Sequence, residues 1–380
     1  MDNIRTISSL DQLAMVQGDW DRLQSVQQCF FPDFIDLQND LIHSRMPFRL
    51  FLAERNGNVV SLACFVINEC EKIYKIGERK LFCLPLKRCD LIGSNFLGEC
   101  NPELLNHCMD ILDSEFGFDL VLLGEIMISG DLYKAARKID RKYLLTSPDR
   151  KNSVRWLINL PSSFDAYLKS LGGVWRQSLR RKIRKLESEL RPKLVVVTDP
   201  EQVDAFLRDG EKISRLTYQW NVGQRLCNDE ATRVSFLNMA RNRRLRAHIM
   251  YVNDIPVSFS RGQLVNRVYN FETPGYDPDY SKYSPGTVLL AWAIKDLIEN
   301  SDCLFFDFGT GGDQTGYKAR FGNVSIASRV MQISNTIRIY PLFLIGLDLC
   351  LILLKNLLNL VIGQGRLRQW MRKAIRRYGE

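Results

Sequence analysis

The sequence is poor in the residues that metal-dependent and covalent enzymes rely on. It has three histidines, His43, His107 and His248, and no spacing among them suits a metal ion. It has no Gly-x-Ser-x-Gly turn to raise a serine nucleophile and no Walker-type phosphate loop. No metal site is expected, and no covalent enzyme intermediate on a serine elbow is indicated. No Cys-x-x-Cys pair occurs among the ten cysteines. Cys64, Cys83, Cys303 and Cys350 lie in apolar runs, so they are expected as small buried hydrophobes in a reducing compartment. The opening Met1-Asp2-Asn3-Ile4-Arg5 has no basic stretch running into an apolar one, so no secretory signal is expected and the protein body is placed in the cytoplasm.

What is present fits a folded, two-core protein. A chain of 380 residues exceeds the size at which one core keeps growing, and 46% hydrophobic with 25% charged residues is a globular composition. The net charge of +9 points to an anionic partner: a phosphorylated cofactor, a lipid surface or nucleic acid.

Two stretches repeat one order of elements. In the first, apolar runs Arg49 to Glu54 and Val59 to Ile67 flank Asn56-Gly57, a strong hairpin signal. Asn101-Pro102 then opens a helical pattern through Leu104, Leu105, Cys108 and Ile111, and a buried strand follows from Phe118 to Leu123. In the second, Ala247 to Val252 and Ile255 to Phe259 flank Asn253-Asp254. Pro285 opens a helix through Val288, Leu289, Trp292 and Ile298, and Ser301 to Asp307 forms the closing strand. Pro102 aligns with Pro285, and Asp119 with Asp302, without a gap, which points to duplicated α/β lobes.

From Ser163 to Asn323 the chain resembles the CelD/BcsL-like acetyltransferases, relatives of the GNAT N-acetyltransferases and of the FemAB peptidyltransferases. The resemblance rests on Phe164 to Leu171, Trp175 to Glu187, Ser284 to Leu290, Asp307-Phe308-Gly309-Thr310-Gly311 and Tyr317 to Gly322, in that order. It implies two tandem GNAT-like lobes with mixed central sheets, about 1–149 and 150–335, and leaves a C-terminal helical tail, 336–380. It implies transfer of an acyl group from a coenzyme A thioester to an amine of a sugar or of a cell-envelope or exopolysaccharide precursor. Two alternatives stay open: FemAB-like aminoacyl transfer from charged tRNA, and a non-catalytic adaptor of a polysaccharide-synthesis complex.

A helix start preceded by glycine offers backbone N–H groups and a positive dipole end to a pyrophosphate. The stretch from Tyr280 to Thr287 is placed for that role, with Lys282, Ser284, Gly286 and Thr287 as candidate cofactor-binding residues. It departs from the usual GNAT pattern, because Ser281 and Ser284 stand where that pattern has glycines. A plain helix start with proline in its first turn is the alternative. The strand Arg267 to Glu272 is expected beside Leu304 to Phe308, and in GNAT-like folds these two strands splay to admit the thioester.

Acyl transfer to an amine needs a base for the amine and an acid or cation for the departing thiolate. Glu272, Asp307 and Asp313 are candidate bases, Tyr317 a candidate acid, and Lys318 an anion partner. Asp307 capping the glycine turn and Tyr317 packing are the alternatives. Trp175, Leu179, Ile183, Leu186 and Leu190 recur at helical spacing and leave a cationic exterior. Arg176 and Arg180 there, with Arg320, are candidates for phosphate or an anionic substrate; a solvated face is the alternative, and nucleic acid is disfavoured for want of a stacking platform.

The tail from Ile339 to Ile362 is long enough to cross a bilayer, for which about 20 residues suffice. Asp348, Lys355 and Asn359 fall near one helical face, and a central charge costs roughly 2.5 to 3.5 kcal/mol, so a lone span is disfavoured. The basic run from Arg366 to Arg377 suits an anionic leaflet, so peripheral attachment to the inner face of the membrane is expected, with a hydrophobic hairpin packed on the second lobe as the alternative.

Overall fold

The computed structural model describes residues 3–26, 34–76, 79–148, 152–217, 220, 225–310 and 316–362. The chain forms two compact units, one of Met1–Asn152 together with the chain from Ser328 onward, the other of Ser153–Ala327. In chain order the strands are β1 (Asn3–Ile7), β2 (Phe48–Arg55), β3 (Asn58–Ile76), β4 (Arg79–Leu91), β5 (Leu97–Gly98), β6 (Leu120–Met127), β7 (Tyr143–Thr146), β8 (Ser153–Asn159), β9 (Lys193–Val197), β10 (Ala247–Val252), β11 (Ile255–Val265), β12 (Val268–Tyr276), β13 (Phe305–Thr310) and β14 (Val324–Asn335). The fold is mixed α/β.

The first unit orders its strands β1-β2-β3-β4-β6-β14, with β5 on β3 and β7 on β14. The pair β4–β6 is parallel and the others are antiparallel. Asn56 and Gly57 take positive φ values of 51° and 76°, the backbone that a tight hairpin needs and that these residues tolerate. Side chains alternate across the sheet. Leu50 and Leu52 join Trp20, Phe34 and Leu41 of the N-terminal helices, while Phe51 and Ala53 join Leu104, Cys108 and Leu112 of the helix Pro102–Phe116. That helix starts where the Asn101 side chain accepts from the Leu104 N–H at 2.8 Å, and it stops at Gly117, φ 60°. Each leucine it buries contributes roughly 1.5 to 3 kcal/mol.

The second unit orders its strands β8-β13-β12-β11-β10-β9, and only β12–β13 is parallel among its pairs. Asn253 and Asp254 carry the expected tight turn, both at positive φ. On one face the helix Pro285–Asn300 buries Leu290, Ala291, Ile294 and Leu297 against Tyr269, Phe271 and Phe306. On the other, the helix Pro200–Leu216 buries Phe206, Leu207 and Ile213 against Ile249 and Phe259. Both units thus place a proline-started helix between two strands that pair in parallel, Cys89 opposite Val121 and Tyr269 opposite Phe306.

A polar cluster is sealed within the second unit. Asp296 accepts two bonds from Arg246, at 2.6 and 2.8 Å, and one from Asn300 at 3.0 Å, and it lies 2.9 Å from His248 Nε2. Burial pushes the His248 imidazole below its ordinary range, while its contact with Asp296 opposes that shift. Burial would raise the Asp296 carboxyl, yet the bonds from His248, Arg246 and Asn300 win and hold it well below the usual carboxylate range.

Ile339–Ile362 is one helix, grouped with the first unit. Among the described residues the tail thus shows one helix and no hairpin turn, and the second arm of the hairpin alternative falls on residues 363–380, outside the described residues. Lys72 Nζ meets Asp348 at 2.5 Å, and Tyr340 Oη donates to the Pro85 carbonyl at 2.6 Å. Among the described residues, no helix is long and apolar enough to cross a membrane. The basic run from Arg366 to Arg377 lies outside the described residues. Of the cysteines expected inside, Cys64 and Cys303 are buried, Cys83 is half-buried and Cys350 is exposed, because its apolar run belongs to a helix with an open face.

Candidate active site

The site grows from a divergence of two strands. β12 and β13 pair only through Val268, Tyr269 and Asn270, opposite Phe305, Phe306 and Asp307. Past Asn270, β12 stays with β11, where Pro274, Gly275 and Tyr276 face Ser260, Phe259 and Ser258. A register shift between Ser260 and Gly262 bends β11 to follow. Gly275 is required here, since a Cβ would enter the Phe259 ring. Beside the parted strands lies a cavity of about 540 Å3. β11 contributes Phe259 and Ser260, β12 contributes Phe271 and Pro274 to Tyr276, the Pro285 helix contributes Gly286, Thr287, Leu289 and Leu290, and Leu216, Thr217, Pro278, Tyr317 and Phe321 complete the wall.

The Pro285 helix presents its N-terminus to this cavity. Ser284 caps it in the left-handed region, φ 55° and ψ 48°, and Pro285 occupies the first helical position. The N–H groups of Thr287 and Val288 both bond back to the Ser284 carbonyl, at 3.0 and 3.2 Å. Gly286 therefore supplies the first-turn amide closest to the cavity that is not spent in this way. A side chain there would press on the Tyr276 ring, 3.2 Å from the Cβ position.

Cations surround this helix start. Lys182 Nζ donates to Ser284 Oγ at 2.9 Å. Burial, then repulsion from Arg320 and Arg181, lowers the Lys182 ammonium below the usual lysine range. Lys182 and Arg320 both lie over the Trp175 ring, at 5.9 and 5.5 Å, and Lys185 and Lys282 lie over Tyr283, at 5.3 and 4.9 Å. The basic helix Gly173–Leu190 thus carries one cation to the helix start.

The expected site residues divide into three groups. Gly286, Thr287 and Tyr317 share the cavity wall, and Ser284, Lys282 and Arg320 stand with Lys182 at its helix start. A second group is held elsewhere. Asp307 is buried, accepts from Arg155 Nε at 3.0 and 3.1 Å, and accepts from the Gly309 N–H at 2.8 Å, so it fixes the turn where β13 ends. Lys318 donates to the Thr310 carbonyl at 2.8 Å, on the same turn. Glu272 pairs with Arg261 at 3.0 Å and is absent from the cavity wall, since it alternates with Phe271. Arg176 donates to the Lys169 carbonyl and Arg180 to the exposed Asp165. The third group is Asp313 alone, in a segment outside the described residues.

Lys182 and Arg155 are absent from the sequence-based set. Lys182 did carry a signal, because 175, 179, 182 and 186 share one helical stripe with Trp175, Leu179 and Leu186. A lysine on the apolar stripe, and not on the solvated face, marks a cation held against the protein. Arg155 left no signal, because its partner lies 152 residues away.

The first unit has filled its equivalent space. Beyond the Asp90–Leu122 pair, Leu91 and Phe96 turn inward and join Phe65, Leu104 and Leu105 in one buried cluster, with Phe96 edge-on to Phe65 at 6.2 Å. Among the described residues, aromatic side chains thus occupy, beside the parallel pair of the first unit, the place that is open in the second.

Comparisons with known proteins agree. Residues 175–319 match the acetyltransferase (GNAT) domain family. Among solved structures, the chain is similar to a conserved protein of unknown function from Bacteroides thetaiotaomicron VPI-5482, at 13% identity and a TM-score of 0.52, covering 88% of this chain and 100% of that one. It is also similar to FemX, at 11% identity and a TM-score of 0.58, covering 87% of this chain and 96% of that one. At these identities the likeness is one of fold. No curated protein matches the chain in sequence. The matched segment, residues 175–319 of the 380, contains the basic helix, the diverging strands and the Pro285 helix, and it is similar to a GNAT acetyltransferase domain.

Proposed function

We propose that the protein is an acyltransferase that takes its acyl group from a coenzyme A thioester and delivers it, by direct attack, to the amine of a sugar or of a cell-envelope or exopolysaccharide precursor in the cytoplasm. The observation that carries the reading is the parting of β12 from β13 beside an apolar cavity whose wall includes the first turn of the Pro285 helix, where Lys182 meets Ser284, Lys282 lies over Tyr283, and Arg320 lies over the Trp175 ring with Lys182. The donor set suits a nucleotide-linked thioester: an amide at Gly286 and several cations for phosphate, and apolar walls for a pantetheine arm. The acceptor class rests on the CelD/BcsL-like resemblance.

The thioester brings an activated acyl carbon, and the protein positions it and manages protons. Phe271, Leu289, Leu290 and Phe321 keep the cavity wall apolar and exclude water. Of the hydroxyls on that wall, Thr217, Ser260, Tyr276, Thr287 and Tyr317, we assign Tyr317, which the CelD/BcsL-like closing stretch also includes, to hold the proton that the departing sulfur takes. Among the described lining residues no carboxylate is present. Asp313, four positions before Tyr317, is the base we assign to the incoming amine.

A thermal-shift panel with acetyl-CoA, longer acyl-CoA thioesters and charged tRNA separates this reading from FemAB-like aminoacyl transfer. A rise in Tm with a thioester and none with tRNA is expected. Protection by charged tRNA alone would replace the donor, and protection by neither would favour a non-catalytic adaptor.

A further inference from the structure

The helix Ile339–Ile362 has two unlike faces over its described side chains. Towards the first unit it buries Pro341 and Leu344, ties Asp348 to Lys72 at 2.5 Å and anchors Tyr340 on the Pro85 carbonyl. Asp348, one of the two charges that argued against a lone membrane span, is therefore paired on the protein side. Away from the protein, Ile339, Leu342, Phe343, Gly346, Leu349, Cys350 and Leu353 are all exposed, with Ile339 at 85% and Leu353 at 66%. At about 100° per residue these seven positions fall within an arc of about 120°. No charge interrupts the arc.

We propose that this face lies in the surface of an anionic lipid bilayer, with the helix parallel to the membrane and Asp348 turned to the protein. Two observations select lipid as the occupant. Over its described side chains the face is an unbroken apolar stripe, and the opposite side of the helix is tied to the first unit through Asp348 and Lys72. The sequence that follows holds Arg366, Arg368, Arg372, Lys373, Arg376 and Arg377, with no acidic residue between Asp348 and Glu380. Six cations next to an apolar stripe complement a negatively charged headgroup layer and oppose self-association of two such tails. The inference is independent of the acyl-transfer reading.

Flotation of the full-length protein with vesicles of phosphatidylcholine and phosphatidylglycerol in equal parts, and with phosphatidylcholine alone, tests it. The wild type is expected to float with the anionic vesicles. Combined L342S, F343S and L349S substitutions change exposed side chains and are expected to leave thermal unfolding unaltered while lowering vesicle affinity by at least about tenfold. Replacing Arg366, Arg368, Arg372 and Arg376 by Gln is expected to remove the preference for anionic vesicles, by about fivefold per cation. A Phe343→Trp variant keeps the face apolar, and its fluorescence is expected to shift to the blue on adding anionic vesicles. Equal flotation of wild type and triple variant, or unchanged emission from the Phe343→Trp variant, overturns the proposal. So does light scattering in which the triple variant splits an oligomer while flotation is unaffected, since the face would then bind a second copy. Acyl-CoA binding measured on the same variants reports on the acyl-transfer reading separately.

Discussion

Lys182 and Tyr317 are the side chains on which the proposed chemistry bears most directly. Lys182→Met keeps the aliphatic stem against Trp175 and removes the charge beside Ser284. Its KM for acyl-CoA is expected to rise about tenfold, the loss of one charge-assisted contact, with kcat little changed; steady-state kinetics with an unaltered KM would remove Lys182 from the phosphate site. Tyr317→Phe takes one oxygen from the cavity wall. If Tyr317 holds the leaving-group proton, kcat falls about 100-fold at constant KM, and a change in KM alone would make it a packing residue. At this scale the sequence was informative where function needs a local pattern. The helix-start stretch around Gly286 was readable as Pro-Gly before an apolar period, and Tyr317 from the family's closing stretch. Asp307 was readable as a turn residue, but its grip on Arg155, which holds the end of β13, depends on a partner that only folding brings near.

At the scale of elements, the Pro285 helix joins the site to the buried core. Its first turn faces the cavity, and three turns later Asp296 binds Arg246 and His248. Gly286→Val would place a branched side chain against the Tyr276 ring and in the cavity mouth, so binding is expected to fail while the helix, whose core face is untouched, persists. The Asp296 cluster sets a pH dependence. A carboxylate held low stabilises the fold above its ordinary pKa and loses that contribution as pH falls. A histidine held below its ordinary value of 6.5 favours the fold when neutral, so acidification through and below 6.5 also destabilises. Both signs agree: the histidine is expected to lower Tm as the pH falls from about 7 to 5, and the carboxylate to add to the fall below its ordinary value of 3.8. His248→Gln should flatten the upper part of that slope in calorimetric melts, whereas an unchanged slope would place the acid sensitivity elsewhere. The hairpins at Asn56-Gly57 and Asn253-Asp254 and the caps at Asn101 and Pro285 were legible because each is set by neighbours in sequence. The parallel pairs β4–β6 and β12–β13 join strands separated by a whole helix, so the depth of their parting was not legible.

For the whole molecule, two units of like build carry unequal sites. The gap-free alignment of Pro102 with Pro285 and Asp119 with Asp302 anticipated the shared build, while the parallel pairs are offset from that alignment, β13 standing two residues later than β6 and β12 three residues earlier than β4. What the alignment hid was the aromatic filling of the first unit by Phe65 and Phe96, a matter of packing in three dimensions and not of element order. The positive charge also divides by place, one share at the Pro285 helix start and another in the C-terminal sequence. Isothermal calorimetry of the full-length protein with acetyl-CoA and a longer acyl-CoA, repeated on a folded Gly286→Val variant, tests the central claim most directly. Saturable heat for at least one thioester in the wild type, and none in the variant, is the predicted result; equal heats in both proteins, or no heat in either, would contradict a cleft between β12 and β13 as the acyl-donor site.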